Sequence, residues 1–273
     1  MQTHLALRQL ITNPGRNENV KVLFAARPNA KAIIFIHGFN ADALNAWSDF
    51  HELLPEYSQC TGTDLFFYGY DGLRAELNAS AAIFCAFLDR LFAATKRYLN
   101  QNLPPSAQRD NNFKYSELVI VAHSLGAVIA RRALLNATLN KSKWVPKTKL
   151  VLYAPAHKGA NVVSLAMEAL SIFTFLRFFS LALRYKSPLI DQLKPNSETL
   201  TNLLRDAKVA RKGGRNPHLV PIKVIIAEYE EIVINDQFCD DPAPVAIAGT
   251  SHTTVCKPRR SFLLPLTHLE NCL

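Results

Sequence analysis

The stretch ELVIVAHSLGAVIARRALL, residues 117–135, decides how this chain is read. Five apolar residues, Leu118 to Ala122, run into His-Ser-Leu-Gly, and a helical pattern of apolar positions follows at once. An unbroken apolar run of this kind is how a strand buried on both faces reads. A serine at a strand–helix junction is either one polar residue in a tight turn or a nucleophile raised clear of a sheet. The second reading makes a steric demand, because a sharp turn is crowded: the residues two before and two after the serine are small. Here they are Ala122 and Gly126. Alanine stands where the usual G-x-S-x-G pattern has glycine, a departure of one methyl group.

Outward from this junction the chain alternates short apolar runs with longer helical patterns. Candidate strands lie at 20–25, 32–36, 64–68, 118–122, 150–153, 222–227 and 245–248. Candidate helices lie at 77–99, 124–136, 196–210 and 260–271. In the first, Phe84, Phe87, Leu88, Leu91 and Phe92 form one apolar face. Residues 100–113 are polar with two prolines and read as a loop. This alternation predicts an α/β fold, a mainly parallel central sheet with helices on both faces. At 273 residues the chain suits one large domain carrying an insertion, here about 158–221, which holds no strand candidate. Within it, 162–184 is strongly apolar, but Glu168 and Arg177 argue against a membrane span. It reads as a helical lid or as an ordinary buried insertion.

Composition narrows the setting. The net charge is +9, from 31 basic and 22 acidic residues. That balance favours anionic partners, and a peripheral contact with an anionic membrane surface fits it as well as plain solubility does. Basic and aromatic residues form no nucleic-acid motif, so no nucleic-acid partner is expected. The five cysteines are odd in number and include no CxxC pair, which predicts reduced thiols, no disulfide framework and no zinc site. The N-terminus lacks a basic region followed by a long apolar run, so a cytoplasmic location is expected.

Three further pieces give the serine something to do. A serine hydroxyl needs a base to take its proton. An acyl-transfer site also needs two backbone N–H groups aimed at the developing oxyanion. One would come from Leu125, directly after Ser124. The other would come from the loop in KAIIFIHGFNADALNAW (residues 31–47), where Phe39 follows His37 and Gly38. The base must come late in the chain, and His252 in VAIAGTSHTTVCKP follows a candidate strand. His268 sits in the last helical pattern and is the competitor. His123, next to the serine, is expected to point elsewhere, and His157 to be structural or pocket-lining. The acid is drawn from AEYEEIVINDQ: Glu230 first, ahead of the apolar Ile232 and Val233, then Glu231, then Asp236. No metal and no organic cofactor is called for.

IIFIHGFN, VAHSLGAVIARRAL, LYAPAHKGAN and GTSHTTVCKP together resemble the α/β-hydrolase lipases and esterases grouped with GPI-inositol deacylases and serine-active-site-containing lipid-remodelling proteins. The resemblance spans about 20–258. SPLIDQLKPNSETLTNLL also looks like that group's helix ahead of the seventh strand. It implies a Ser–acid–His triad with Ser124 and His252 as members. There the acid is usually Asp in a D-x-V-V setting, which maps to Glu230-Glu231-Ile232-Val233. The segment that in the group reads Pro-His-x-Gly-Ser is here Pro155-Ala156-His157-Lys158-Gly159-Ala160. The resemblance implies a serine carboxylic-ester hydrolase, an esterase or lipase acting on acyl esters or lipids, phospholipids among them. The alternative is a non-catalytic hydrolase-fold module that binds lipid or protein, which the altered elbow and the glutamate would suit.

Overall fold

A computed structural model describes residues 3–10, 19–39, 41–71, 76–161 and 191–273. Eight strands form one sheet: β1 Arg8–Gln9, β2 Asn19–Leu23, β3 Lys31–Ile36, β4 Asp64–Gly69, β5 Glu117–His123, β6 Thr148–Tyr153, β7 Lys223–Tyr229 and β8 Val245–Ser251. Their order across the sheet is β1-β2-β4-β3-β5-β6-β7-β8. Pairing from β4 through β8 is parallel, while β1/β2 and β2/β4 are antiparallel. All seven candidate strands form. The two-residue β1 went unpredicted because it has no apolar run, and both of its residues are exposed.

Strand parity sends side chains to two faces. On one, Phe66 and Tyr68 meet Phe87 of α2 (Leu77–Ala93), with ring centroids 6.4 and 5.2 Å apart. The same face carries α4 (Leu125–Leu139), reached through α3 (Thr95–Asn100) and β5. On the other, Phe35 meets Trp47 at 5.0 Å and Phe50 of α1 (Phe50–Leu53) at 5.3 Å. Tyr153 donates its hydroxyl to the carbonyl of Pro265 there (2.6 Å), at the start of α6 (Leu264–Glu270). The central strands β3, β4 and β5 are buried almost throughout, which is why they read as apolar runs.

All four expected helices differ in their boundaries, α4 running to Leu139, three residues past the expected end. The pattern at 77–99 breaks at Ala94 (φ −129°, ψ 41°), where the Thr95 hydroxyl turns back to the Phe92 carbonyl (3.5 Å). Such local side-chain bonds compete with the helix ladder. The last helix starts at Leu264, because Arg259 and Phe262 exchange backbone hydrogen bonds in a tight turn first. Pro265 then occupies the first turn, where its missing N–H costs nothing. The helix expected at 196–210 is α5, Glu198–Arg211, capped by the Ser197 hydroxyl accepting from Leu200 N. It is the main helix among the described residues of the expected insertion. The apolar run 162–184 lies outside the described residues. Among those described, no helix is long and apolar enough to cross a membrane.

Candidate active site

Ser124 sits between β5 and α4 with φ 52° and ψ −120°, a region an L-residue enters only when its surroundings force it. The surroundings are visible. Its N–H donates to Tyr153 O (3.0 Å), and its carbonyl accepts from Ala127 and Ala156. A Cβ placed on Gly126 would fall 2.3 Å from His37 O and 2.4 Å from Ile36 O. The glycine two residues after the serine is thus demanded by the end of β3, which the elbow lies against. Ala122 is wholly buried in β5 opposite Ile36 and Leu152, and the turn forms with alanine there.

Three distant parts of the chain meet at the hydroxyl. His252 Nε2 lies 2.9 Å from Ser124 Oγ. His252 Nδ1 lies 3.0 Å from each carboxylate oxygen of Glu230. The side chains of His252 and Glu230 are each 1% exposed, and Ser124 is fully buried. Glu230 also accepts from the N–H groups of Ile232 and Val233 (3.1 Å each), so the carboxylate folds its own loop back under the imidazole. Glu231 and Asp236 are exposed and outside this chain of contacts. His268 lies on α6, outside this chain of contacts, with its pKa lowered by burial.

The loop after β6 braces the loop that bears Glu230. Gly159 O accepts from Ile234 N (3.2 Å), and Asn161 N donates to Ile232 O (2.8 Å). The His157 ring bonds the backbone of Asp236, and burial pushes its pKa well down. The Pro-Ala-His-Lys-Gly-Ala segment is therefore scaffolding for the loop that bears Glu230.

Backbone donors sit as a positioned pair of loops. Leu125 is the first residue of α4, so its N–H is at a helix N-terminus, where negative charge is favoured. Gly38 packs against the serine: a Cβ there would stand 3.0 Å from Ser124 Cβ and 2.9 Å from His123 Nδ1. The Gly38 carbonyl is held on the far side. Tyr70 N–H donates to His37 Nε2 (3.3 Å), which leaves the proton on Nδ1 to donate to Gly38 O (2.7 Å). The Tyr70 hydroxyl donates to His37 O (2.9 Å), and the two rings stack at 4.4 Å. A peptide is planar, so fixing the Gly38 carbonyl fixes the direction of the Phe39 N–H. Burial lowers the His37 pKa to about 4, keeping this tautomer in place at neutral pH.

One expectation is corrected. His123 does not point away from the site. Its Nε2–H donates to the His252 carbonyl (2.9 Å), and the two rings are 5.0 Å apart. His123 is the last residue of β5, and its side chain reaches the loop after β8. Burial holds His123 well below the usual histidine range, so it stays neutral. Neither His123 nor Tyr70 carried a sequence signal of its own, because each acts through a contact made by the tertiary fold.

A thiol nucleophile has no support. All five cysteines are free, and burial pushes Cys60, Cys85 and Cys256 up to about 12. Among the described residues no group of three or more His, Cys, Asp or Glu is arranged to hold a metal ion.

No family model and no curated protein matches the chain. Solved structures do. The peroxisomal alpha-beta-hydrolase Lpx1 from Saccharomyces cerevisiae matches with a TM-score of 0.55 at 9% identity, over 99% of this chain and 88% of that one. An alpha/beta hydrolase enzyme from the metagenome of Mar Chica lagoon sediments in Morocco matches at 0.52 and 14%, over 97% and 100%. The mature lipase BlEst2 from Bacillus licheniformis matches at 0.50 and 14%, over 96% and 97%. The chain therefore has the α/β-hydrolase fold. Fold alone leaves the chemistry to the site.

Proposed function

We propose that the protein is a serine carboxylic-ester hydrolase working through an acyl-enzyme. The observation that carries this reading is the contact chain from Ser124 Oγ through His252 to Glu230, at 2.9 and 3.0 Å, on a strained elbow. Ser124 attacks the ester carbonyl as His252 Nε2 takes its proton. Glu230 holds the imidazole with Nδ1 protonated and stabilises the cation that forms. Leu125 and Phe39 N–H groups receive the oxyanion. His252 returns the proton to the leaving alcohol, then deprotonates the water that releases the acid. A glutamate reaches the imidazole because its loop turns back on Ile232 and Val233.

The substrate class we favour is an acyl ester with an apolar chain, a lipid or phospholipid. The support is the apolar composition of 162–184, the net charge of +9 and the resemblance to GPI-inositol deacylases and related lipases. BlEst2, one of the similar structures, is a lipase. Peripheral contact with an anionic membrane, as an anchor and not as the route of substrate entry, and a cytoplasmic setting are proposed alongside it, with the whole chain as one domain. A panel of p-nitrophenyl esters and phospholipids, with Ser124→Ala as control, tests it. Turnover that vanishes in the variant and depends on chain length supports the proposal. Equal background rates in both proteins would leave a non-catalytic module.

A further inference from the structure

Two acid-free stretches far apart in sequence meet at one pole of the molecule. The first is Asn140 to Lys147, after α4; the second is Ala207 to Pro221, around the end of α5. They meet where Val145–Lys147 packs against Pro217–Leu219, and just before the first stretch Thr138 Oγ1 lies 3.1 Å from His218 Nε2. Six cations in them are exposed: Lys141, Lys143, Lys147, which donates to Tyr115 O, Lys208, Lys212 and Arg215. None of the six forms an ion pair among the described residues. Nearby Asp206 and Asp240 are already engaged by Arg132 and Arg211. Among these cations stand Leu139, 79% exposed, and Val209, 70% exposed. They are the two most exposed large hydrophobic residues described.

We propose that this pole is a docking surface for an anionic lipid bilayer. Protruding aliphatic side chains ringed by lysines suit the bilayer interface, where the aliphatics enter the headgroup boundary and the cations meet anionic lipid. A nucleic acid would use the cations and leave Leu139 and Val209 in water. The pole is also on the wrong side for feeding the active site. Both stretches lie where β6 and β7 begin, whereas Ser124, Glu230 and His252 lie at or just beyond the ends of β5, β7 and β8. The 15 residues of α4 separate Ser124 from Leu139 by about 20 Å. A docked molecule presents its serine away from the bilayer that holds it.

The inference goes beyond ester hydrolysis, and its binding measurements stand without it. Sedimentation with vesicles of phosphatidylcholine, with and without phosphatidylglycerol, measures binding. Each cation near an anionic surface changes affinity roughly fivefold, so Lys141→Glu, Lys143→Glu and Lys212→Glu together are expected to weaken anionic-vesicle binding on the order of a hundredfold. Leu139→Asn with Val209→Asn is expected to weaken it several-fold, and salt to weaken it throughout. Thermal unfolding confirms that the variants fold. Ser124→Ala is expected to bind as the parent does, and vesicle-bound parent to keep its rate on a soluble p-nitrophenyl ester. Parent-like binding by the lysine variant overturns the proposal. So does equal binding to neutral vesicles, binding to duplex DNA without vesicle binding, or loss of access to soluble ester on docking.

Discussion

Ser124 occupies a backbone conformation that costs an isolated residue about 1–3 kcal/mol. Its cost is offset by the fold, since Tyr153, Ala127 and Ala156 all bond its main chain. Around it, each side chain that faces the serine is itself held. Glu230 is the sharpest case. Glu230→Gln keeps the shape and removes the charge, so kcat is expected to fall about a hundredfold to ten-thousandfold with KM little changed. Glu231→Gln and Asp236→Asn are expected to stay within about twofold, and steady-state kinetics on one soluble ester compares all three. His123→Phe tests the strut beneath the base. It removes the N–H that meets the His252 carbonyl while keeping an aromatic ring, so kcat is expected to drop about tenfold. An unchanged kcat would mean that the loop after β8 holds His252 unaided. Ser124 and His252 were legible in the sequence because a strand–helix junction and a late turn mark them locally. Glu230 was legible only as the first of three, because the choice among neighbouring carboxylates depends on which way the loop folds. His123 was misread because its partner lies 129 residues away.

At the scale of elements, β5 and α4 form a rigid wedge against the end of β3. Gly126 is where they touch, and an added methyl would overlap two carbonyl oxygens of β3 and its following residue. Gly126→Ala is therefore expected to destabilise the protein by about 1–3 kcal/mol or more, since neither carbonyl is free to move. Urea denaturation of parent and variant measures this, and an unchanged midpoint would contradict the packing described. The parallel strands β3 to β6 were readable because each is buried on both faces and so apolar along most of its length, whereas the edge strand β8 is largely exposed. Helix ends were less readable. The break at Ala94 and the late start of α6 depend on a threonine hydroxyl and a pair of backbone bonds, neither of which alters hydrophobic periodicity.

At the scale of the whole molecule, acid sensitivity follows from the histidines. Six of the eight, His4, His37, His123, His157, His218 and His268, have pKa values lowered by burial. A lowered histidine binds its proton more readily unfolded than folded. Its stabilising share is thus full above the ordinary value near 6.5 and is lost as pH falls toward the folded value. For His37 that window runs from about 6.5 to about 4 and is worth roughly 3 kcal/mol. The buried Asp64, paired with Arg109 and Tyr115, is shifted upward by burial and works in the opposite direction, but it is one group against six. Unfolding free energy is expected to decline from pH 7 to pH 4.5, and a flat profile would contradict the buried neutral histidines. The proposed role of the contact chain from Ser124 through His252 to Glu230 is to make the hydroxyl of Ser124 nucleophilic. Labelling of the folded protein with a fluorophosphonate, followed by peptide mass mapping, reads that directly. The account predicts one adduct on Ser124, formed at neutral pH, absent in Ser124→Ala and slowed strongly in Glu230→Gln. A folded parent that takes up no label at Ser124 would contradict it.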